Sequence, residues 1–335
     1  MSPSADNSQP WRYRWAEDAL ELWIDRERSG HVSDAHYMLS DLAIGACIEN
    51  MAIRSLALGL SIESELFPQA QDEPLFAARL RWQAAEPHES PMLAAIATRH
   101  TDRRLLWRGP VEDDCKQRLS RQAATHPGAD LIWMDGKARE IALKAIWMAE
   151  ALRFSSRSLH GELFSSIRFE AGRRGECDEG LAPASLAVEA PMWPLFKAMR
   201  QWPLMRTMRV IGGAQLIGIR AARLPAALAP ALALLSVDGT ERKSIVTAGR
   251  AMQRVWLQAE ADGLAVQPLA AAGVLTLGGP DIEPRLQPRL KKIRACLDDI
   301  IGTGHGVLFL RMGKRPAHPP ARSGRRALTT FSLGS

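Results

Sequence analysis

Two stretches of this sequence echo one another. Gly45-Ala46-Cys47-Ile48-Glu49-Asn50 leads through an apolar helix to Gly59-Leu60. Gly249-Arg250-Ala251-Met252-Gln253-Arg254 leads in the same number of steps to Gly263-Leu264. Both begin with a helical glycine, carry apolar residues at matching offsets and stop at Gly-Leu. Self-similarity of this kind marks an internal repeat, the alternative being a chance likeness of two amphipathic helices. The repeat reading predicts two long helices packed side by side at the heart of a pseudo-dimer. The 335 residues suffice for two lobes of ordinary size or one internally duplicated domain.

The rest of the chain reads as mixed helix and strand. Trp11, Tyr13 and Trp15 alternate with arginines, a strand pattern, and Leu20 to Arg26 is a second extended run. Ser33 and Asp34 can cap a helix from about Ala35 to Gly59, where Ile44, Ile48, Met51, Ser55 and Leu58 recur at helical spacing. A strand is expected near Phe76 to Trp82 and a short helix over Met92 to Thr98. Helices follow near Glu112 to Ala124, Lys137 to Arg153, Glu241 to Asp262 and Leu286 to Ile301. Strands are expected at Asp130 to Met134, Leu232 to Val237 and Val307 to Arg311. Residues 155–190 read as irregular, and 191–223 as a Met- and Trp-rich basic arm of short helices. The proline-containing tail reads as extended.

Apolar residues at 46% and charged residues at 24% exclude disorder over most of the chain. Cys47, Cys115, Cys177 and Cys296 are scattered with no CxxC pair, poor material for zinc or a disulfide framework. No basic region followed by an apolar run opens the chain, and the apolar stretch Leu224 to Val237 is too short and proline-broken to span a bilayer. The expectation is a cytoplasmic protein with no stable membrane insertion. The net charge of +6 is uneven: residues 191–237 and 311–335 each carry six Lys or Arg and no acid. A module binding nucleic acid or a membrane surface through these arms is one reading. No nucleic-acid-binding motif accompanies them, so no nucleic-acid partner is expected. GxGxxG, GxSxG, Walker and HExxH patterns are absent, and no metal is expected.

Three segments carry chemistry. Pro3-Ser4-Ala5-Asp6-Asn7-Ser8-Gln9-Pro10-Trp11 offers a hydroxyl, two amides and backbone N–H groups in a rigid loop, suited to the edge of a flat heterocycle. On composition alone a surface turn is the favoured reading. Arg99-His100-Thr101-Asp102-Arg103 places two guanidiniums and a hydroxyl one residue apart, an arrangement that can converge on phosphate or simply form a charged turn. Gly263-Leu264-Ala265-Val266-Gln267-Pro268-Leu269-Ala270 is a helix stop leading to a strand.

PSxxNxQPW followed by a strand resembles the nitroreductase-like FMN flavoproteins, and all six fixed positions match. In that family an Arg-x-Ser-x-Arg run grips the FMN phosphate, and here Thr101 keeps the hydroxyl. The resemblance implies that Arg99, Thr101 and Arg103 anchor phosphate, that Ser4, Asn7 and Gln9 hold the ring, and that the backbone of Pro268, Leu269 and Ala270 runs along the flavin edge. It also implies that Arg325, in a late basic pair, returns to the phosphate. The motifs stand in inverted order, one in each half. This resembles the two-lobed branch typified by the mycobacterial Acg proteins, as does the stretch Leu75 to Val111, which includes Leu106-Trp107-Arg108. Related domains occur fused behind a ThiF-like domain. The family has a helix before the Pro-Ser loop; either the start is truncated or an upstream domain is absent.

The expected fold is therefore α+β and nitroreductase-like, duplicated into a first lobe over 1–90 and a second over 91–335, with 191–223 as a lid. The implied function is NAD(P)H-linked two-electron reduction of a small quinone- or nitroaromatic-like acceptor, with FMN supplying the chemistry and no catalytic protein acid or base. The alternative is a non-catalytic flavin-sequestering protein. A monomeric pseudo-dimer and a homodimer are both open.

Overall fold

The computed structural model describes residues 2–69, 71–105, 109–318 and 320–334. Leu106, Trp107 and Arg108, within the stretch compared above, lie outside the described residues. The chain begins with β1 (Trp11–Ala16), β2 (Ala19–Ile24), α1 (Met38–Leu56), β3 (Leu60–Leu66) and β4 (Phe76–Ala84). It continues through α2 (Met92–Thr98), α3 (Asp113–Ala124), β5 (Ala129–Trp133), α4 (Gly136–Arg153) and α5 (Arg157–Ser166). Short helices α6 (Trp193–Ala198), α7 (Trp202–Val210), α8 (Gly213–Gly218) and α9 (Leu224–Leu228) follow. The final elements are β6 (Ala231–Val237), α10 (Arg242–Ala261), β7 (Leu264–Leu269), α11 (Ala271–Gly278), α12 (Gln287–Ile301) and β8 (His305–Lys314).

The strands form two four-stranded sheets, ordered β1-β2-β4-β3 and β5-β6-β8-β7, with every pair antiparallel. The order is the same in both: first, second, fourth, third. In both, a long helix follows the second strand and turns into the third through a glycine in the left-handed region, Gly59 at φ 76° and Gly263 at φ 77°. Such a conformation costs glycine nothing and any other residue strain.

The two long helices α1 and α10 pack against each other at the centre. A Cβ on Gly45 would stand 2.1 Å from the Val246 carbonyl oxygen, and one on Gly249 would stand 2.2 Å from that of Leu42. Backbone therefore meets backbone, and only glycine fits. Polar bonds flank this crossing. Asp41 takes a two-pronged bond from Arg242 at 2.7 and 2.8 Å, Asn50 accepts from Gln253 at 2.7 Å, and Glu49 accepts from Arg254 at 2.7 Å and Arg250 at 3.2 Å.

Other expectations need adjusting. α1 starts at Met38 rather than Ala35, because His36 and Tyr37 take positive φ values of 56° and 62°. Asp34 still caps it, accepting from the Leu39 and Ser40 N–H groups, whereas Ser33 bonds to Glu162. Residues expected to be irregular contain α5. Together α5 to α9 form a cap with its own core of Phe154, Leu163, Phe164, Met199 and Met205. Phe164 meets Phe169 and Phe196 with ring centroids 6.2 and 5.6 Å apart. Among the described residues no helix is long and apolar enough to cross a membrane.

Candidate functional site

The opening loop is held by its own strained backbone. Asp6, Asn7 and Gln9 all have positive φ, near 50°, a region that short polar side chains enter more readily than most. Ser4 Oγ accepts from the Gln9 N–H at 2.9 Å and closes the turn. Distant chain then clamps it. Asn7 Nδ2 donates to the Asp178 and Gly324 carbonyls, each at 3.3 Å, and Gln9 Nε2 donates to Asp178 O at 2.7 Å. Gln9 Oε1 accepts from the Arg326 N–H at 3.1 Å. Fully buried, Gln9 is thus engaged in holding the loop. Its bonding capacity faces protein.

The arginine run leaves α2 in extended conformation and lies along β7: Thr101 bridges Val266, and the Asp102 N–H donates to Val266 O at 3.0 Å. Asp102 is completely buried and takes Arg104 in a short bond of 2.6 Å. That bond draws Arg104 away from its neighbours, while Arg103 donates to Ser185 O at 3.2 Å. Arg99 stacks over Trp256 of α10 at 4.3 Å. Burial pulls its pKa down to about 9, and the Arg325 cation pushes the same way against Glu260. Burial also lowers Arg103, with Asp6 as the opposing charge, and lowers Arg325.

Arg311 was legible in the sequence only as part of the tail pattern, yet it organises this corner. Fully buried on β8, it donates to Gln267 Oε1 at 2.6 Å and to the carbonyls of Pro225, Asp102 and Arg104 at 3.2, 3.2 and 2.9 Å. The signal for it was a lone cation inside the apolar strand Val307–Met312.

These segments enclose two adjoining cavities. The larger, about 840 Å³, is lined by Ser4 and Asp6 of the opening loop, Thr101, Arg103, Pro268, Leu269 and Ala270, with Met252 and Trp256 of α10 as further wall. Cap residues including Leu186, Met192, Phe196 and Leu216 complete it. The smaller, about 110 Å³, holds Asn7, Arg99, His100, Ser185, Arg322 and Arg325. Ser4, Thr101 and Arg103 line both. All the residues singled out from sequence therefore converge here except Gln9. Sequence reasoning missed Met252 and Trp256, which look like ordinary core at their four-residue spacing. It also missed Glu150 and Arg153, where burial works against the Arg153 charge but Glu150 and Asp6 outweigh it. Among the described residues no His, Cys, Asp or Glu cluster could hold a metal.

The class defined by this fold and site is a two-sheet α+β scaffold with a basic, cap-covered pocket at the central helices. No protein-family model matches the chain. An uncharacterized protein of Mycobacterium tuberculosis (strain CDC 1551 / Oshkosh) is 24% identical over 332 residues, 97% of this chain and 46% of the relative. The protein acg of Mycobacterium tuberculosis (strain ATCC 25618 / H37Rv), given by assignment the name NAD(P)H nitroreductase, is 30% identical over 169 residues, 49% of this chain and 50% of the relative. The chain spans about half the length of the curated relatives it matches. Among solved structures, a nitroreductase with bound FMN from Bacteroides fragilis NCTC 9343 aligns over 74% of this chain and 100% of its own, at 11% identity and TM-score 0.42. The FMN-dependent nitroreductase NfnB of Mycobacterium smegmatis, in complex with NADPH, aligns over 73% and 98%, at 15% identity and TM-score 0.38. The chain resembles the nitroreductase-like flavoproteins of the acg kind.

Proposed function

We propose that this chain binds FMN between its two halves and acts as an NAD(P)H-linked oxidoreductase on a small quinone- or nitroaromatic-like acceptor. One observation carries the reading: the opening loop, the 99–103 run and the 268–270 segment, far apart in sequence, all line the larger cavity. Its volume lies within the range of about 300–1,000 Å³ common for cofactor sites. The donor set suits a phosphorylated flat heterocycle. Arg325 Nε is buried with no hydrogen-bond partner among the described residues, and the buried Arg99 and half-buried Arg325 cations repel each other. An anion between them would relieve both costs.

In this reading Arg99, Arg103 and Arg325 hold the phosphate and Thr101 adds a hydroxyl. Ser4, Asn7 and the backbone of 268–270 define the ring's edges, with Met252 and Trp256 as apolar wall. FMN, when bound, supplies two-electron hydride chemistry. The protein's task is to orient, to exclude water and to admit reactants. The repeated strand order supports duplication into two lobes, which we place at 1–90 and 91–335; a ThiF-like upstream domain and the choice between monomer and homodimer belong to the same proposal. A visible absorption spectrum of the purified protein tests the cofactor, since a protein that binds no flavin shows no band in the blue. Anaerobic NADPH should then bleach that band. The cap that roofs the cavity favours a second reading, flavin sequestration, in which the colour persists.

A further inference from the structure

We propose that the cap carries a docking surface for anionic lipid bilayers, built from the Val210–Ile211 turn and the arginines around it. Val210 and Ile211 close α7 and are 80% and 79% exposed, more than any other large apolar side chain among the described residues. No described residue covers them. Beside them, Arg209 donates to Ser155 O at 3.2 Å and Arg289 donates to Ser155 Oγ at 3.3 Å, so one serine holds two guanidiniums side by side. Arg206 and Arg285 lie near enough that their charges also act on Arg209. The acid in this group is Glu283, 3.6 Å from Arg285. Residues 191–237 add Lys197, Arg200 and Arg223 and contain no acid, while Arg220 pairs with Glu189.

Two aliphatic side chains exposed at the end of a helix whose last turns carry Arg206 and Arg209 match the chemistry of a lipid surface. The cations meet headgroup phosphates while the apolar tips enter the boundary with the acyl chains. A soluble polyanion would leave those tips in water. A second copy related by a two-fold axis would bring the same cations face to face. Met192, Leu195 and Leu216 are exposed and also line the large cavity, so its mouth opens on the same cap. The inference rests on the cap surface alone and does not require the cofactor reading.

Flotation of the full-length protein with lipid vesicles tests it. Binding to vesicles of phosphatidylcholine containing phosphatidylglycerol should exceed binding to phosphatidylcholine alone by about tenfold or more and fall with added salt. V210D/I211D should lower it about tenfold at an unchanged melting temperature. R206Q/R285Q, at a separate set of side chains, should lower it about fivefold per arginine. Failure to float with either vesicle would overturn the proposal. So would binding that V210D/I211D leaves intact, the mark of a nucleic-acid-like polyanion site, or a dimer that this variant dissolves. The visible spectrum of the same preparation reports the cofactor separately, so each idea can fail alone.

Discussion

Arg103 enters the site partly withdrawn from water, with one carbonyl bond and the Asp6 charge nearby. Its charge is therefore available to an anion at little further desolvation cost. Replacing it with glutamine should weaken FMN binding about 10- to 100-fold, the loss of one charge-assisted bond, as fluorescence titration would measure. Arg311 behaves differently because it lines neither of the two cavities. R311M should destabilise the fold by about 3–5 kcal/mol, since four acceptors lose one buried cation; urea denaturation checks this. These two arginines also mark how far single residues could be read. The spacing of Arg99, Thr101 and Arg103 allows a phosphate or a plain charged turn, and only the family resemblance chose between them. The roles of Gln9 and Arg311 depend on partners distant in sequence, such as Asp178 for Gln9, and no local pattern encodes those meetings.

Among the elements, α1 and α10 were the most legible, because a long apolar face with a glycine stop leaves one conformation favoured. Their crossing makes a sharp prediction. G249A places a methyl against the Leu42 carbonyl oxygen at 2.2 Å, so it should cost at least about 2–3 kcal/mol despite alanine's better helix propensity. Glu49 adds a pH signature. Burial pushes its pKa up, but His126, 3.1 Å away, with Arg250 and Arg254 outweighs it and holds Glu49 at about 2. A carboxylate depressed from its usual 4.5 contributes stability that is complete above that value and is lost as pH falls toward 2. Thermal melts should show a decline in this window of up to about 3 kcal/mol, and E49Q should lack it. β3 escaped notice because its sequence Leu60–Leu66 alternates weakly and its inward face is only half-buried. The cap was illegible for another reason: short helices held by aromatic contacts between themselves leave no long periodicity to read.

At the scale of the whole molecule, the tail joins what the sheets keep apart. After β8 it passes the small cavity with Arg322 and Arg325, bonds Gln9 through Arg326, and ends beside β1, where the Leu333 N–H donates to Tyr13 O at 2.9 Å. Phe331 packs on Trp11 with ring centroids 5.9 Å apart. Removing residues 320–335 should therefore lower flavin retention by about tenfold or more, as Arg325 is lost from the phosphate and Arg326 from the opening loop, while far-ultraviolet circular dichroism stays near that of the intact chain. Composition exposed this arm as basic but could not say where it returns. Its return also orders events in time. Gln9 and Arg326 are 317 residues apart, and a ribosome adding about 5–20 residues per second leaves the opening loop waiting tens of seconds for its clamp. Through that interval a nascent chain has the loop but no finished grip, so the FMN capture proposed above would belong to the late stage of synthesis.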